Sequence, residues 1–271
     1  MTQRFRPPRR AAAGQRLPLL ALACIALVAS GCSRSTQSTS SAPAPAAPAV
    51  TQPAPPAEPA DGSVRLGDAA AYAAIAGRGA VTVRSKPGGG REIQLLPPTL
   101  VWGTPTPFLV REARRVDGQL WYRVLLPRRP NESTGWVSAK QVRASPRPNS
   151  AEVDLSARRL TLYKGVDAIG SFPVAIGAQG TPTPTGRFFV TVKLRPPEIS
   201  KVYGDWALGL SAYSEVFDQF GTGDGQIALH GTANGSELGQ AVSHGCVRLA
   251  NPVISMLAKL LPPGSPVEIH A

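Results

Sequence analysis

Three residues near the carboxyl end of the chain have the types and spacing that covalent chemistry needs. His230 ends the apolar run 226–229, and His244 lies two positions before Cys246. A thiol attacks a carbonyl group well only as a thiolate, so a cysteine nucleophile needs a base or a positive field beside it. This pattern predicts a Cys246 nucleophile and leaves both histidines open as its base.

Two neighbours of Cys246 suit the same chemistry. Gly245 lets the backbone turn tightly, so that N–H groups near 245 and 246 can point at the oxyanion of a reacting carbonyl. Arg248 can raise the local potential or bind a carboxylate. The alternative is a zinc site made by His230, His244 and Cys246, since three nitrogen or sulfur ligands and a water form a hydrolytic centre. No C-x-x-C or H-E-x-x-H spacing supports that alternative.

The first 31 residues predict an export signal. Residues 1–16 contain five arginines and no acidic residue, and 17–30 is almost entirely apolar but too short to cross a bilayer comfortably. Ser30-Gly31-Cys32 then resembles a bacterial lipobox, in which Cys32 becomes the lipidated first residue. Ala29 stands where lipoboxes most often have leucine, so cleavage without lipidation stays open. The expected location is the cell envelope, with the chain anchored to the membrane and facing the cell wall.

Composition divides the rest of the chain. Residues 32–63 are rich in Pro, Ala, Ser and Thr and predict a disordered tether. The remainder has room for two domains, 64–148 and 149–271. The first has 14 Lys and Arg against 5 Asp and Glu, and the second has 9 against 10. Since export argues against nucleic acid, the basic domain predicts an anionic wall polymer or membrane surface as partner; a merely solvated basic face stays open.

Short apolar runs separated by Gly and Pro turns predict a small β-barrel over 75–143. The expected strands are 81–84, 99–102, 108–112, 120–126 and 135–137. Trp102, Trp121, Tyr122 and Trp136 fit either a groove for peptide or glycan or plain core packing.

The second domain is predicted to be mainly β with one substantial helix. Strand patterns cover 153–155, 160–164, 168–176, 187–192 and 267–269, and the stiff loop 181–186 leads into the fourth of them. Asn251 as a cap, Pro252 at the first helical position and apolar residues at a three-to-four spacing predict a helix. Pro262-Pro263-Gly264 would end it.

Several of these segments resemble known families. The order V-R-S-K-P-G, G-Q-L-W-Y-R-V and T-G-W-V over 75–143 resembles bacterial SH3-like domains. The second domain resembles the YkuD-type L,D-transpeptidases. The resemblance rests on the strings I-A-L-H-G-T and S-H-G-C-V-R-L, and on V-D-L-S-A-R-R-L-T-L-Y and T-P-T-P-T-G-R-F upstream of them. Together the resemblances imply a small SH3-like β-barrel followed by a β-sandwich-like catalytic domain.

The resemblance to L,D-transpeptidases also implies roles for single residues. Cys246 would be the nucleophile, and His230 the general base with its ring held by a nearby backbone carbonyl. Ser243, His244 and Gly245 match motif positions that shape the site and its oxyanion hole. No cofactor and no metal is implied.

The implied substrate is the stem peptide of peptidoglycan. The enzyme would release D-alanine from a tetrapeptide, hold an acyl-Cys246 intermediate and pass the acyl group to a side-chain amine, forming a 3→3 crosslink. Arg248, Tyr203 and Trp206 are expected to bind substrate, the last two from a flap over 195–225. The aromatic residues of this hypothetical flap are Tyr203, Trp206, Tyr213, Phe217 and Phe220. The alternative is that they only pack the core. Acylation of Cys246 by carbapenems is expected as well.

Other functions remain open at this point. L,D-carboxypeptidase trimming and attachment of a protein to the wall share the acyl-enzyme. A non-enzymatic wall-binding lipoprotein fits the basic domain but leaves the run Ser-His-Gly-Cys unexplained. Papain-like wall peptidases place their cysteine before the histidine, and sortases spread Cys, His and Arg far more widely, so neither pattern fits this chain.

Overall fold

The computed structural model of the chain describes residues 62–66, 71–195, 201–219 and 223–271. The predicted signal peptide, its Cys32 and nearly all of the predicted tether lie outside the described residues. The described residues belong to one compact unit, 55–271. Within these ranges, no helix is both long enough and apolar enough to cross a membrane.

Short strands make up most of the described chain. They are β1 (Ala71–Ala76), β2 (Val81–Lys86), β3 (Gly89–Leu96), β4 (Pro107–Val116), β5 (Gln119–Leu125), β6 (Thr134–Ser138), β7 (Val142–Arg147), β8 (Asn149–Asp154), β9 (Arg159–Lys164), β10 (Asp167–Pro173), β11 (Ile176–Gly177), β12 (Gly186–Leu194), β13 (Ala207–Tyr213), β14 (Gln226–Thr232), β15 (Ala241–Ser243), β16 (Val247–Ala250) and β17 (Pro266–His270). One helix, α1 (Asn251–Leu260), lies between the last two. The described chain is therefore mainly β with one α-helix, as predicted.

Strands β1 to β7 form one sheet in the order β3-β2-β6-β5-β4-β1-β7. Its core contains Val83, Phe108, Val124 and Val137, which come from four different strands of the sheet. Sequence analysis missed β1, β3 and β7, because an alanine-rich run, a run that begins with glycines and charged residues, and a run with Arg and Pro have weak strand composition. Whether this sheet is an SH3-like domain ending at 148 stays a prediction.

The predicted strand 99–102 is wrong. Thr99 makes an isolated bridge to Pro105, and Val101–Gly103 forms a 3₁₀ turn in which Trp102 has a φ of 56°. The prolines that flank this segment lack the N–H groups that a ladder needs, so the segment turns instead of pairing.

Core packing accounts for three of the four aromatic residues considered for a groove. Trp121, Tyr122 and Trp136 are each less than one-tenth exposed, whereas Trp102 is 61% exposed. The four side chains therefore do not share one accessible surface.

The second large sheet carries the site. Its order is β10-β9-β8-β17-β12-β13-β14-β16, and β14 and β16 are parallel. One apolar core joins Leu208, Leu229 and Leu249 of this sheet to Ile254 and Leu257 of α1. The short strands β11 and β15 pair with each other beside it. The apolar face of the second large sheet is buried against α1. This burial fixes the end of β14 and the start of β16, where the predicted catalytic residues lie.

The start of α1 differs from its prediction. Ala250, not Asn251, is in the cap position, and it makes no side-chain cap bond. Asn251 Oδ1 accepts the Asp205 N–H at 3.1 Å. A Cβ at Gly231 would lie 2.2 Å from this oxygen, so only glycine fits there. Asn251 thus ties the start of the helix to Asp205, in the segment before β13, and its side chain lies close to Gly231.

Candidate active site

His230 and Arg248 lie side by side on two parallel strands. In the register of β14 and β16, Leu229 stands opposite Val247, and the next pair is His230 opposite Arg248. Side chains alternate between the two faces of a strand. Leu229 and Val247 therefore point into the core, and His230 and Arg248 lie together on the opposite face of the sheet. Cys246 directly precedes β16 and therefore comes to that same face.

The ring of His230 is held in one tautomer. Its Nδ1 donates a hydrogen bond to the Gly231 carbonyl oxygen at 2.7 Å, so Nε2 carries the lone pair that can accept a proton. Burial lowers the pKa of His230 from 6.5 to about 4; the Gly231 bond opposes this shift, and the charge of Arg248 adds to it. His230 is therefore a neutral imidazole at neutral pH, with one nitrogen available as a base.

Cys246 is a half-buried free thiol. Burial raises its pKa above the ordinary value, while a hydrogen bond from the Ala228 backbone and the charge of Arg248 act weakly in the opposite direction. The resting pair is thus a protonated thiol beside a neutral imidazole, and not a thiolate beside an imidazolium.

A tight turn presents the thiol. Ser243 Oγ accepts the Gly245 N–H at 3.1 Å and donates to the Cys246 carbonyl oxygen at 2.5 Å. Gly245 has a φ of +113°, and a Cβ there would lie 3.0 Å from Ile227 Cδ1. A side chain at this position would be strained by both its φ and its contact. Ser243 and Gly245 therefore shape the turn that presents Cys246.

The loop 181–186 supports this turn from outside. Thr181 Oγ1 donates to the Ser243 carbonyl oxygen at 2.9 Å, and the Ala178 N–H donates to the same oxygen at 2.9 Å. Thr183 Oγ1 accepts the Gly177 N–H at 2.9 Å. The hydroxyl groups of Thr181 and Thr183 in the T-P-T-P-T-G string thus fix the backbone next to the turn that contains Cys246.

Arg248 is held by an ion pair. Its Nη1 lies 2.7 Å from Glu237 Oε2, and both side chains are roughly three-quarters buried. The hydrogen bond from Arg248 is the main reason that the pKa of Glu237 is lowered, and Asn234 and Thr232 also bond to this carboxylate. Sequence analysis missed Glu237, since only the fold brings the turn 235–237 back to β16.

A cavity of ≈ 240 Å³ opens over these groups. It is lined by Val202, Tyr203, Ser214, Phe217, Gly225, Gln226, Ile227, His230, Ser243, His244, Cys246 and Arg248. Tyr203 packs edge-on to His230 with ring centroids 5.0 Å apart, and Phe217 lies tilted over His244 at 6.3 Å. The structure thus gathers six of the eight predicted site residues around one opening, with Gly245 in the turn beneath them.

Trp206 is the predicted site residue that the structure does not place at the cavity. Its half-buried ring packs against the core, and the guanidinium of Arg195 lies over it at 5.3 Å from the ring centroid. Of the other proposed flap aromatics, Tyr213 is buried in β13 and Phe220 lies outside the described residues. Among the aromatic residues of this segment that the structure describes, only Tyr203 and Phe217 line the cavity.

The alternative zinc site has no geometric counterpart in the described ranges. No group of three or more His, Cys, Asp or Glu side chains there is placed to hold a metal ion, the set His230, His244 and Cys246 included. A larger cavity of ≈ 400 Å³ lies between the two large sheets, but no cysteine or histidine lines it.

Comparisons with known proteins agree with the resemblance found in the sequence. Residues 148–269 match the model of the YkuD family, the L,D-transpeptidase catalytic domain. A Bacillus licheniformis protein named as the L,D-transpeptidase YkuD is 32% identical over 165 residues, which cover 58% of this chain and 92% of that protein. The protein of the same name from Bacillus subtilis is 32% identical over 123 residues, 45% of this chain and 66% of that protein.

Solved structures are similar at a lower level. An L,D-transpeptidase from Mycobacterium tuberculosis H37Rv is 16% identical and has a TM-score of 0.42, over 70% of this chain and 77% of that one. Because this score is low, the assignment rests on the sequence matches.

The sequence matches define a class of enzymes with a transpeptidase catalytic domain. The chain belongs to the YkuD family of L,D-transpeptidases. This confirms the family that the motifs around His230 and Cys246 predicted.

Proposed function

We propose that the chain is a peptidoglycan L,D-transpeptidase that works through an acyl-Cys246 intermediate. The observation that carries this proposal is the fixed tautomer of His230, whose Nδ1–H is bonded to the Gly231 carbonyl oxygen at 2.7 Å. Its other nitrogen is left for the thiol that lines the same cavity. A nucleophile beside an oriented base is the arrangement that acyl transfer needs. Membership of the family supplies the substrate class.

The acylation step follows from the resting protonation state. Since burial keeps the thiol protonated and His230 neutral, His230 takes the thiol proton as Sγ attacks the carbonyl carbon of the third stem residue. The C–S bond forms and the carbonyl oxygen takes the negative charge. Collapse of this adduct breaks the C–N bond to the terminal D-alanine, whose amine receives the proton from His230.

The backbone at Cys246 is the proposed oxyanion site. The Gly245 N–H is engaged with Ser243 Oγ, so we assign the oxyanion to the Cys246 N–H in the same turn. Beyond the effect of burial, Arg248 lowers the pKa of both the thiol and His230. It therefore favours the thiolate during attack and disfavours a standing imidazolium.

The acyl group then passes to an acceptor amine. His230 takes a proton from this amine as its nitrogen attacks the thioester carbon, the C–N bond forms, and the C–S bond breaks. The proton returns to the thiolate, which regenerates the resting pair, and the product is a 3→3 crosslink. Water in place of the amine would make the enzyme an L,D-carboxypeptidase.

Intact-mass spectrometry tests this proposal. The purified chain is incubated with a disaccharide tetrapeptide and, in a separate reaction, with a carbapenem. We expect a covalent adduct that maps to Cys246, release of D-alanine and a crosslinked dimer of the peptide. Release without dimer would favour carboxypeptidase trimming. If the chain forms no adduct and releases no D-alanine, the non-enzymatic wall-binding function becomes the better explanation.

We also propose that the chain is exported and anchored in the cell envelope through lipid on Cys32, and that the basic domain 64–148 binds an anionic wall polymer. The lipobox-like run and the charge excess support these proposals. Cys32→Ser should move the protein from the membrane fraction to the soluble fraction and remove the mass of the lipid. An unchanged distribution and mass would contradict the anchor.

A further inference from the structure

One wall of the Cys246 cavity is bonded to a loop of the first sheet. This loop joins β5 to β6, and its residues 127–131 are termed the clamp loop. The described residues 214–219 and 223–225 are termed the wall segment, because Ser214, Phe217 and Gly225 line the cavity. The two segments are far apart in sequence: Arg129 and Phe217 are separated by 88 positions.

Arg129 binds the wall segment through three backbone carbonyls. Its Nη2 donates to Phe217 O at 2.7 Å and to Ser214 O at 3.2 Å, and its Nη1 donates to Asp224 O at 2.9 Å. Three acceptors in different directions match the fixed fork of a guanidinium, which a lysine ammonium does not reproduce. The neighbouring carboxylate of Asp218 is fully exposed and lies at 3.8 Å, so the carbonyls are the main partners.

A second set of bonds fixes the clamp loop itself. Asn131 Nδ2 donates to Tyr213 O at 2.9 Å, and the Tyr213 N–H donates to Asn131 Oδ1 at 2.9 Å. The Tyr213 hydroxyl donates to Pro127 O at 3.0 Å, and the Arg129 guanidinium lies over the tyrosine ring at 4.8 Å. Burial raises the pKa of Tyr213 to about 12, so the hydroxyl keeps its proton.

The wall segment has little room to shift while Arg129 is in place. A Cβ at Gly225 would lie 2.3 Å from Phe217 O and 2.7 Å from Arg129 Nη2, and Gly225 has a φ of +77°. Ser214 Oγ accepts the Phe217 N–H at 3.0 Å. The Phe217 ring, which faces His244 across the opening, is therefore carried on a backbone that the guanidinium holds at several points.

We propose that Arg129 is a positioning residue for substrate binding: it fixes Phe217 and so sets the width of the opening through which the acyl donor reaches Cys246. The inference rests on the proposed function, since it takes the stem peptide as the donor. The first sheet then contributes to the active site through Arg129 and does more than bind a wall polymer. Arg129 does not line the cavity, so it acts through Phe217 and not on the reacting atoms.

The test compares Arg129→Ala with a control of equal charge change, Arg143→Ala, in the full chain. Arg143 is exposed in β7 and makes none of these bonds. With a disaccharide tetrapeptide, Arg129→Ala should raise KM by about tenfold and change kcat by less than about threefold, as expected when a binding contact is lost. Amide hydrogen exchange should become faster by about tenfold or more in 214–219 and stay unchanged in 243–248. Arg143→Ala should match the wild type in all three measurements.

Two further variants keep the inference falsifiable. Arg129→Lys retains the charge but not the fork, and it should shift KM and exchange in the same direction if Arg129→Ala does not fold. In a Phe217→Ala background, Arg129→Ala should raise KM no further, because the two residues act through one wall. Faster exchange with unchanged KM would reduce Arg129 to a purely structural role. Unchanged exchange would overturn the inference outright.

Failure of the proposed function would look different. In that case the wild type would form no adduct with the tetrapeptide, while the exchange measurement, which needs no substrate, would still report whether Arg129 holds the wall. If amide hydrogen exchange in 214–219 becomes faster in Arg129→Ala but no donor acylates Cys246 in the wild type, the assignment of Arg129 to donor binding is wrong.

Discussion

The floor and the wall of the Cys246 cavity are built in different ways. On the floor, Ser243 and Gly245 bond within a turn of four residues, and His230 bonds to the next residue in the chain. The wall at Phe217 is held by Arg129, from a different sheet. The floor can therefore keep its geometry from local bonds and strand pairing, whereas the wall depends on a long-range contact.

The electrostatics of the two regions differ as well. On the floor, burial shifts the pKa of His230 downward and that of Cys246 upward, so both groups rest uncharged. On the wall, a charged guanidinium binds neutral carbonyl oxygens. Changes to the floor should therefore act on the chemical step and its pH dependence, and changes to the wall should act on substrate binding.

The largest effect should come from the nucleophile. Cys246→Ala removes the proposed nucleophile, which is the one free thiol in the part of the chain that the structure describes, so acylation by tetrapeptide or carbapenem should be undetectable by intact-mass spectrometry. The side chain is half-buried and small, so the melting temperature should stay close to that of the wild type. A remaining adduct would show that another residue is the nucleophile.

Loss of the base should be the next largest effect. His230→Gln should slow acylation by roughly 10²–10⁴, the usual contribution of a positioned general base. Stopped-flow or quenched-flow acylation rates at saturating donor measure it. His244→Gln is the matched control and should keep most of the rate; the reverse result would transfer the base role to His244.

The wall should show a smaller effect that appears in KM. Phe217→Ala removes an aromatic wall of the cavity and should raise KM for the donor peptide by about tenfold. Trp206→Ala, which alters a ring outside the cavity, should change KM by less than about twofold while lowering the melting temperature. Equal effects on KM would mean that Trp206 reaches the substrate, as the flap hypothesis predicted.

The smallest expected effect is a pH-dependent loss of stability at the floor. The pKa of His230 is about 4 in the folded chain and near 6.5 when unfolded, so the unfolded state takes up the proton first as pH falls. Stability should therefore decrease between about pH 6.5 and 4, by at most roughly 3 kcal/mol from this residue. Melting curves of the wild type and His230→Gln over this range measure the difference. Parallel curves would contradict a depressed pKa.

Most of the floor could be predicted from sequence because its parts are close together in the chain. The run 243–248 contains the proposed nucleophile, the turn glycine and the serine that bonds to both, and the strand pattern of 226–229 indicated a neighbouring strand that ends near His230. The helix and most strands followed from their apolar spacing. The strand expected at 99–102 and the cap expected at Asn251 were wrong, since flanking prolines and a tertiary hydrogen bond overrode the local signals.

The sequence by itself determined the family and predicted the nucleophile and its base, because these depend on residue types and on hydrogen bonds that span a few positions. Only the tertiary structure decided that Glu237 binds Arg248, that Trp206 packs against the core, and that Arg129 and Asn131 hold the segment from which Phe217 faces the cavity. These contacts join residues whose sequence neighbourhoods say nothing about each other. Burial of the apolar cores brings these residues together in the fold, and no local pattern in the sequence records their contacts.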